Sequence, residues 1–153
     1  MQTSIICIGK LKEQYLQQAQ AEYVKRLGKF TFINIIEQPD EKIPDNPSNA
    51  QIEIVKDKEA EKIIKKIQKG HTVIPLAPLG KKYDSVGFAK LLDSNPRCTF
   101  VIGGSVGLGN EVLALGQAVS FSDMTFPHQL MRIILLEQVY RGFKINANEP
   151  YHK

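Results

Sequence analysis

The chain has 153 residues, the size of one domain, and at 42% hydrophobic and 24% charged it has the balance of an ordinary globular protein. Twenty Lys and Arg against 16 Asp and Glu leave a net charge of +4, split as 12 basic and 10 acidic over residues 1–75 and 8 and 6 over residues 76–153. That even spread excludes a polybasic arm, so any nucleic-acid contact must come from a folded surface. Cys7 and Cys98 lie in separate apolar runs, without a CxxC or a His at ligand spacing. They read as small buried hydrophobes rather than as a zinc site or a disulfide. The first apolar run stops at Ile8, before Gly9-Lys10, which is too short for a secretion signal, and nowhere do about 18 apolar residues run together. The expectation is a cytoplasmic protein with no membrane partner.

Strand and helix patterns alternate along the chain. Thr3 to Ile8 is a short β-rich run. Gln14 to Leu27 has Leu16, Ala19, Tyr23 and Leu27 at helical spacing and is stopped by Gly28. Phe30 to Ile36 predicts a strand, and Glu37 to Asn49, with Pro39, Pro44 and Pro47, a surface loop. Gln51 to Gln68 predicts a charged amphipathic helix ended near Gly70. His71 to Ala77 reads as a buried strand turned by Pro78-Leu79-Gly80. Val86 to Leu92 predicts a short helix, Cys98 to Ile102 another buried strand, Glu111 to Ala118 a helix and Val119 to Phe121 a short strand. The last helix runs from Pro127 to about Ile145.

Short apolar strands separated by helices predict an α/β protein: a mostly parallel sheet with helices on both faces, in a single domain over residues 1–153. In such sheets ligands bind beyond the carboxyl ends of the strands. Here those ends are Ala77–Gly80, Gly103–Gly109 and Ser122–Pro127, so three loops are expected to converge on one edge.

Each motif has a structural reading beside the functional one. Gly103-Gly104-Ser105-Val106-Gly107-Leu108-Gly109 follows a strand and precedes a helix, where glycines let a ligand touch backbone N–H groups. A GxGxxG register started at Gly107 fails at Val112, one started at Gly103 fails at Ser105, and no GK[ST] occurs, so neither a dinucleotide fingerprint nor a P-loop is present. The run is a tight turn or a backbone-lined pocket. In Ser122 to Pro127, Thr125 could N-cap the helix begun at Pro127, but capping leaves Ser122 and Asp123 unexplained. His71, His128 and His152 supply no evident Ser-His-Asp set. The final helix carries Leu130, Met131, Ile133, Ile134, Leu135, Leu136, Val139, Tyr140, Phe143 and Ile145, too broad for one buried stripe. Its second buried side belongs either to another subunit or to a monomer core. Arg132 and Arg141 could contact phosphate or pair with a carboxylate. The tail Tyr151-His152-Lys153 is either a frayed end or a stacking and phosphate-binding group.

Taken together, FVIGGSVGL, SFSDMTFPHQLMRIILLEQVYRGFKI and PYHK, with CIGKLKEQY and YVKRLG upstream, resemble the bacterial ribosomal RNA large-subunit methyltransferase H family of the SPOUT class. The resemblance covers the whole chain. It implies a C-terminal trefoil knot over roughly residues 72–153, an exception to the rule against knots, and a homodimer. It also implies S-adenosyl-L-methionine as cofactor and methylation of N3 of a pseudouridine in the helix 69 loop of 23S rRNA on the assembled ribosome, with no DNA partner. Carried over by motif, the cofactor residues are Leu76, Gly104, Ser122, Asp123, Met124, Thr125, Phe126 and Pro127. Arg132, Arg141, Tyr151, His152 and Lys153 are candidates for the RNA substrate, and His152 and His128 for proton transfer. The alternative function is a ribosome- or RNA-binding knotted protein without catalysis.

Overall fold

Side-chain alternation along the strands gives the sheet two buried faces. In the computed structural model, which describes Met1–Lys153, the elements are β1 (Gln2–Ile8), α1 (Gln14–Leu27), β2 (Phe32–Gln38), α2 (Asn49–Lys66), β3 (Thr72–Lys82), α3 (Ser85–Ser94), β4 (Arg97–Ile102), α4 (Asn110–Leu113), β5 (Val119–Ser120) and α5 (His128–Asn146). On one face Ile5 and Cys7 of β1, Ile74 of β3 and Cys98, Phe100 and Ile102 of β4 meet Leu27, Phe88, Leu92, Leu135, Leu136, Val139 and Phe143 of α1, α3 and α5. On the other, Ile6, Ile8, Val73 and Val101 meet Ala60 and Ile63 of α2 and Val112 of α4. The period of two along a strand produces this division, and burial of each large apolar side chain contributes about 1.5–3 kcal/mol.

The strands lie in the order β2-β1-β4-β3-β5, and every strand pair is parallel. The expected α/β sheet with helices on both faces is present. All the strands therefore end at the same edge, and the loops that leave it are neighbours.

Three of the differences from the sequence reading have a visible physical reason. The α2 helix begins at Asn49 because Ser48 and Gln51 form a capping box: the Gln51 N–H donates to Ser48 Oγ, and the Ser48 N–H donates to Gln51 Oε1. The turn expected at Pro78–Gly80 lies inside β3, which pairs with Val119 at Leu76 and again at Lys81, so residues 77–80 bulge out between the two pairings. The helix expected from Glu111 to Ala118 is a single turn, Asn110–Leu113. The chain after it is pressed onto β3: a Cβ on Gly116 would sit 1.9 Å from the Val73 carbonyl oxygen. Backbone contact that close has room for glycine alone.

The α5 helix is covered on one side by α3 and on another by α1. Its broad apolar surface is thus largely consumed within one chain. No helix is long and apolar enough to cross a membrane.

Two predictions follow from this packing. Gly116→Ala should force β3 and the segment before β5 apart, at a cost of at least about 2 kcal/mol, seen as a lower midpoint in urea unfolding. Glu59 is 4% exposed, and its Oε1 lacks a partner while Oε2 accepts from the Glu41 N–H. Burial first, then the neighbouring Asp40 and Glu41, raises its pKa. A raised carboxyl pKa favours the folded state most below the unfolded value, and that benefit is lost as pH rises through the folded one. Glu59→Gln should therefore raise the melting temperature at pH 8, with the gain vanishing near pH 4.

Candidate functional site

The carboxyl ends of β3, β4 and β5 open on one cavity of about 570 Å³, a volume suited to a small-molecule ligand. Leu76, Ala77 and Pro78 form one wall; Ile102, Gly103, Gly104, Ser105, Gly107 and Leu108 form the second. Val119, Ser120, Phe121, Ser122, Met124, Thr125, Phe126, Pro127 and His128 form the third, and Met131 of α5 closes the base. Seven of the eight residues expected to hold a cofactor line it: Leu76, Gly104, Ser122, Met124, Thr125, Phe126 and Pro127. Asp123 does not. Its carboxylate is 80% exposed and pairs with Lys82 Nζ at 2.6 Å. His128 is the one lining residue with an ionisable side chain, so the polar surface offered to a ligand is mostly backbone and hydroxyl.

Local chemistry builds the two loops. The glycine turn closes when the Gly107 N–H donates to the Gly104 carbonyl at 3.1 Å, with Gly107 at φ +78°. A Cβ on Gly103 would approach Gly107 C to 2.9 Å. Between β5 and α5, Ser120 Oγ donates to the Ser122 carbonyl at 3.0 Å, and the Met124 N–H donates to Ser122 Oγ at 3.0 Å. Ser122 thus shapes the loop as well as facing the cavity. Thr125 is not the helix cap: α5 starts at His128, with Pro127 in the cap position and no side-chain capping bond. The Pro127 carbonyl accepts the first bond of the helix, from the Met131 N–H at 2.9 Å.

Arg132 and Arg141 do not both face a substrate. Arg132 is 1% exposed. Its Nη1 donates to Glu37 Oε2 at 2.6 Å and Gln20 Oε1 at 3.2 Å, and Nη2 donates to the Gly9 carbonyl at 3.1 Å. It braces the interior beneath the cavity and is unavailable to a phosphate, which corrects the sequence expectation. Burial pushes the Cys7 thiol beside it up to about 12, against the opposing pull of the Arg132 charge.

Arg141 lies at the surface as part of a cluster that holds the tail. Glu137 Oε1 accepts from Arg141 Nε at 3.0 Å, Arg141 Nη2 at 2.6 Å and Tyr151 Oη at 3.2 Å. The hydrogen bond to Glu137 raises the Arg141 pKa, and burial, then Glu137, raises that of Tyr151. The Tyr151 ring packs edge-on against Tyr140 at 5.0 Å and beneath the Arg141 guanidinium at 4.8 Å. The tail is docked at Tyr151 rather than frayed, while Lys153 is exposed. Arg141 Nη1 lies 3.1 Å from His152 Nδ1. A guanidinium only donates, so in this contact Nδ1 is the accepting atom.

His152 is not in the first cavity. It lines a second one of about 480 Å³ with Tyr83, Asp84, Ser85, Val86, Phe88, Phe121, Phe126, Ile134 and Gln138. Phe121 and Phe126 belong to both cavities. An aromatic partition therefore separates a neutral pocket at the strand ends from an aromatic pocket reached by the tail. Glu137, Phe121 and Met131 were not singled out as site residues from the sequence.

The glycine turn and the Ser-Phe-Ser-Asp-Met-Thr-Phe-Pro loop frame this pocket at the carboxyl edge of a parallel sheet, the usual ligand site of such folds. The family described as "Predicted SPOUT methyltransferase" matches residues 1–152, and the chain belongs to it. The chain is 52% identical to "Ribosomal RNA large subunit methyltransferase H" of Bacillus cytotoxicus, with 100% of both chains covered. It is 53% identical to the proteins of that name from Bacillus thuringiensis and Bacillus cereus, again over 100% of both chains. Membership implies a methyl donor.

Glu137→Gln should weaken the Arg141 and Tyr151 bonds together and loosen the tail. The expected result is faster carboxypeptidase removal of residues 151–153 with global stability changed by less than about 1 kcal/mol.

Proposed function

We propose that the protein uses S-adenosyl-L-methionine to methylate N3 of a pseudouridine in the helix 69 loop of 23S rRNA on the assembled ribosome, as a homodimer. The observation that carries the reading is the neutral cavity of about 570 Å³ where three strand ends meet, in a chain of the SPOUT family. The relatives' name supports ribosomal RNA as the substrate.

The residues fit such a cofactor. The glycine turn brings backbone polar groups to the cavity wall without side chains in the way, and Leu76, Phe126 and Met131 supply apolar surface. Bound there, the cofactor supplies an electrophilic methyl group; the protein's part is largely to position the acceptor, the main source of rate in such a displacement. Phe121 and Phe126 offer faces on which a base can stack at the boundary of the two cavities. In this reading His152, on the wall of the second cavity, meets the base. His128, on the wall of the cofactor cavity, is the imidazole to receive the N3 proton, with Asp40 and His128 both within 3.3 Å of the Cβ position of Gly9.

The homodimer reading is supported by exposed apolar residues beside the two cavities: Leu79, Val86, Met124 and Leu130. The knot over residues 72–153 is supported by the tight backbone approach of Gly116 to Val73 and of Gly80 to Val119.

Calorimetric titration with S-adenosyl-L-methionine should show binding in the micromolar-to-millimolar range; its absence would sink the proposal. Ribosomes carrying the unmethylated pseudouridine should incorporate label from the methyl donor. Deleting Tyr151–Lys153 should leave cofactor affinity intact and cut incorporation at least tenfold, since it removes His152. Cofactor binding without any incorporation would favour a non-catalytic ribosome-binding role.

A further inference from the structure

We infer that the loop joining β1 to α1 is a rigid platform from which Lys10 and Lys12 grip RNA phosphates flanking the nucleotide delivered to the cavity. The inference rests on the proposed RNA substrate and goes beyond it by naming the surface that holds the backbone. A nucleotide entering a neutral pocket leaves its flanking phosphates outside, where cations must meet them. The two arginines that the sequence offers for this are taken: Arg132 is buried against Glu37, and Arg141 is tied to Glu137. Near the cavity, Lys82 pairs with Asp123, and Lys81 lies over the Tyr83 ring at 5.0 Å. Lys62 pairs with Glu41.

Lys10 and Lys12 are different. Both are exposed on either side of Leu11, which is 6% exposed, and neither joins any ion pair of the chain. The backbone that carries them is held at four points. The Gly9 N–H donates to the Gln38 carbonyl at 2.7 Å, and the Gly9 carbonyl accepts from Arg132 Nη2 at 3.1 Å. The Leu11 carbonyl accepts from Gln17 Nε2 at 2.8 Å, and the Lys12 N–H donates to Gln129 Oε1 at 3.0 Å. Gln129 follows His128, which lines the cavity, and His128 Nε2 lies 3.3 Å from the Cβ position of Gly9. The backbone carrying two unpaired lysines is thus fixed beside the start of α5, whose first residue, His128, lines the cavity. A loop already ordered loses little further backbone freedom on binding, so its charges act at low entropic cost.

The test measures affinity for ribosomes lacking the modification, between 50 and 200 mM KCl, for four proteins: wild type, K10A/K12A, K10R/K12R and K65A/K66A. The last removes the same charge from the final turn of α2, next to the amino edge of the sheet. Each phosphate contact on a single strand contributes about 0.7 to the slope of log K against log salt. The platform requires the K10A/K12A slope to be shallower by about 1 to 1.5, with K10R/K12R and K65A/K66A like wild type and S-adenosyl-L-methionine affinity the same in all four. An unchanged slope in K10A/K12A, or an equal loss in K65A/K66A, overturns it. Should the wild type bind neither ribosomes nor S-adenosyl-L-methionine, the functional reading itself falls; binding of both with an unaltered K10A/K12A slope removes the platform alone.

Discussion

A single buried guanidinium, that of Arg132, ties together the parts of the chain that frame the site. Taking such a charge out of water carries an effective penalty of several kcal/mol. Here the cost is offset by Glu37 at the end of β2, Gln20 in α1 and the Gly9 carbonyl just past β1, although Nε is left without a partner. An apolar side chain could fill the same space, but it could not specify three acceptors on three separate elements. The brace fixes where two strands end relative to α5, and so fixes the Gly9–Lys12 loop and the first turn carrying His128.

The same arrangement explains why the cavity is neutral. The acidic and basic groups around it are consumed in pairs: Arg132 with Glu37 below, Asp123 with Lys82 at the rim and Arg141 with Glu137 beside the tail. What remains facing inward is backbone, hydroxyl and apolar surface. Recognition in such a pocket depends on shape and on amide groups held by the glycine turn, which a charged lining would override.

Much of the architecture was legible because its signals are local. Short apolar runs in β1 and β4 and helical spacing in α1 pointed to the sheet and its layers, and the convergence of three loops followed from parallel strands alone. The errors lay where long-range contact decides. Nothing near Gly116 in sequence reveals the Val73 carbonyl against it, so α4 was drawn too long. Arg132 looks like an exposed cation because its acceptors, at positions 9, 20 and 37, are more than a hundred or nearly a hundred residues away. The cofactor loop was read residue by residue from a family resemblance; local physics left Ser122 and Asp123 unexplained there, and the structure separates them, Ser122 bonding within the loop and Asp123 turning out toward Lys82.

Two arginine–glutamate pairs on one helix show how burial divides their roles. Arg132 is at 1% side-chain exposure, where low dielectric and three acceptors make its geometry costly to alter. Arg141 and Glu137, one helical turn apart, are at 25% and 20%. Water reaches that pair, so its attraction is screened and each partner can be exchanged at modest cost. Tyr151 and His152 are held by the exchangeable pair, not by the buried one. The tail therefore rests on a pair that water reaches, while the α5 scaffold beneath it is held by the buried one. The buried pair braces the elements that frame the cavity, and the wet pair holds the tail.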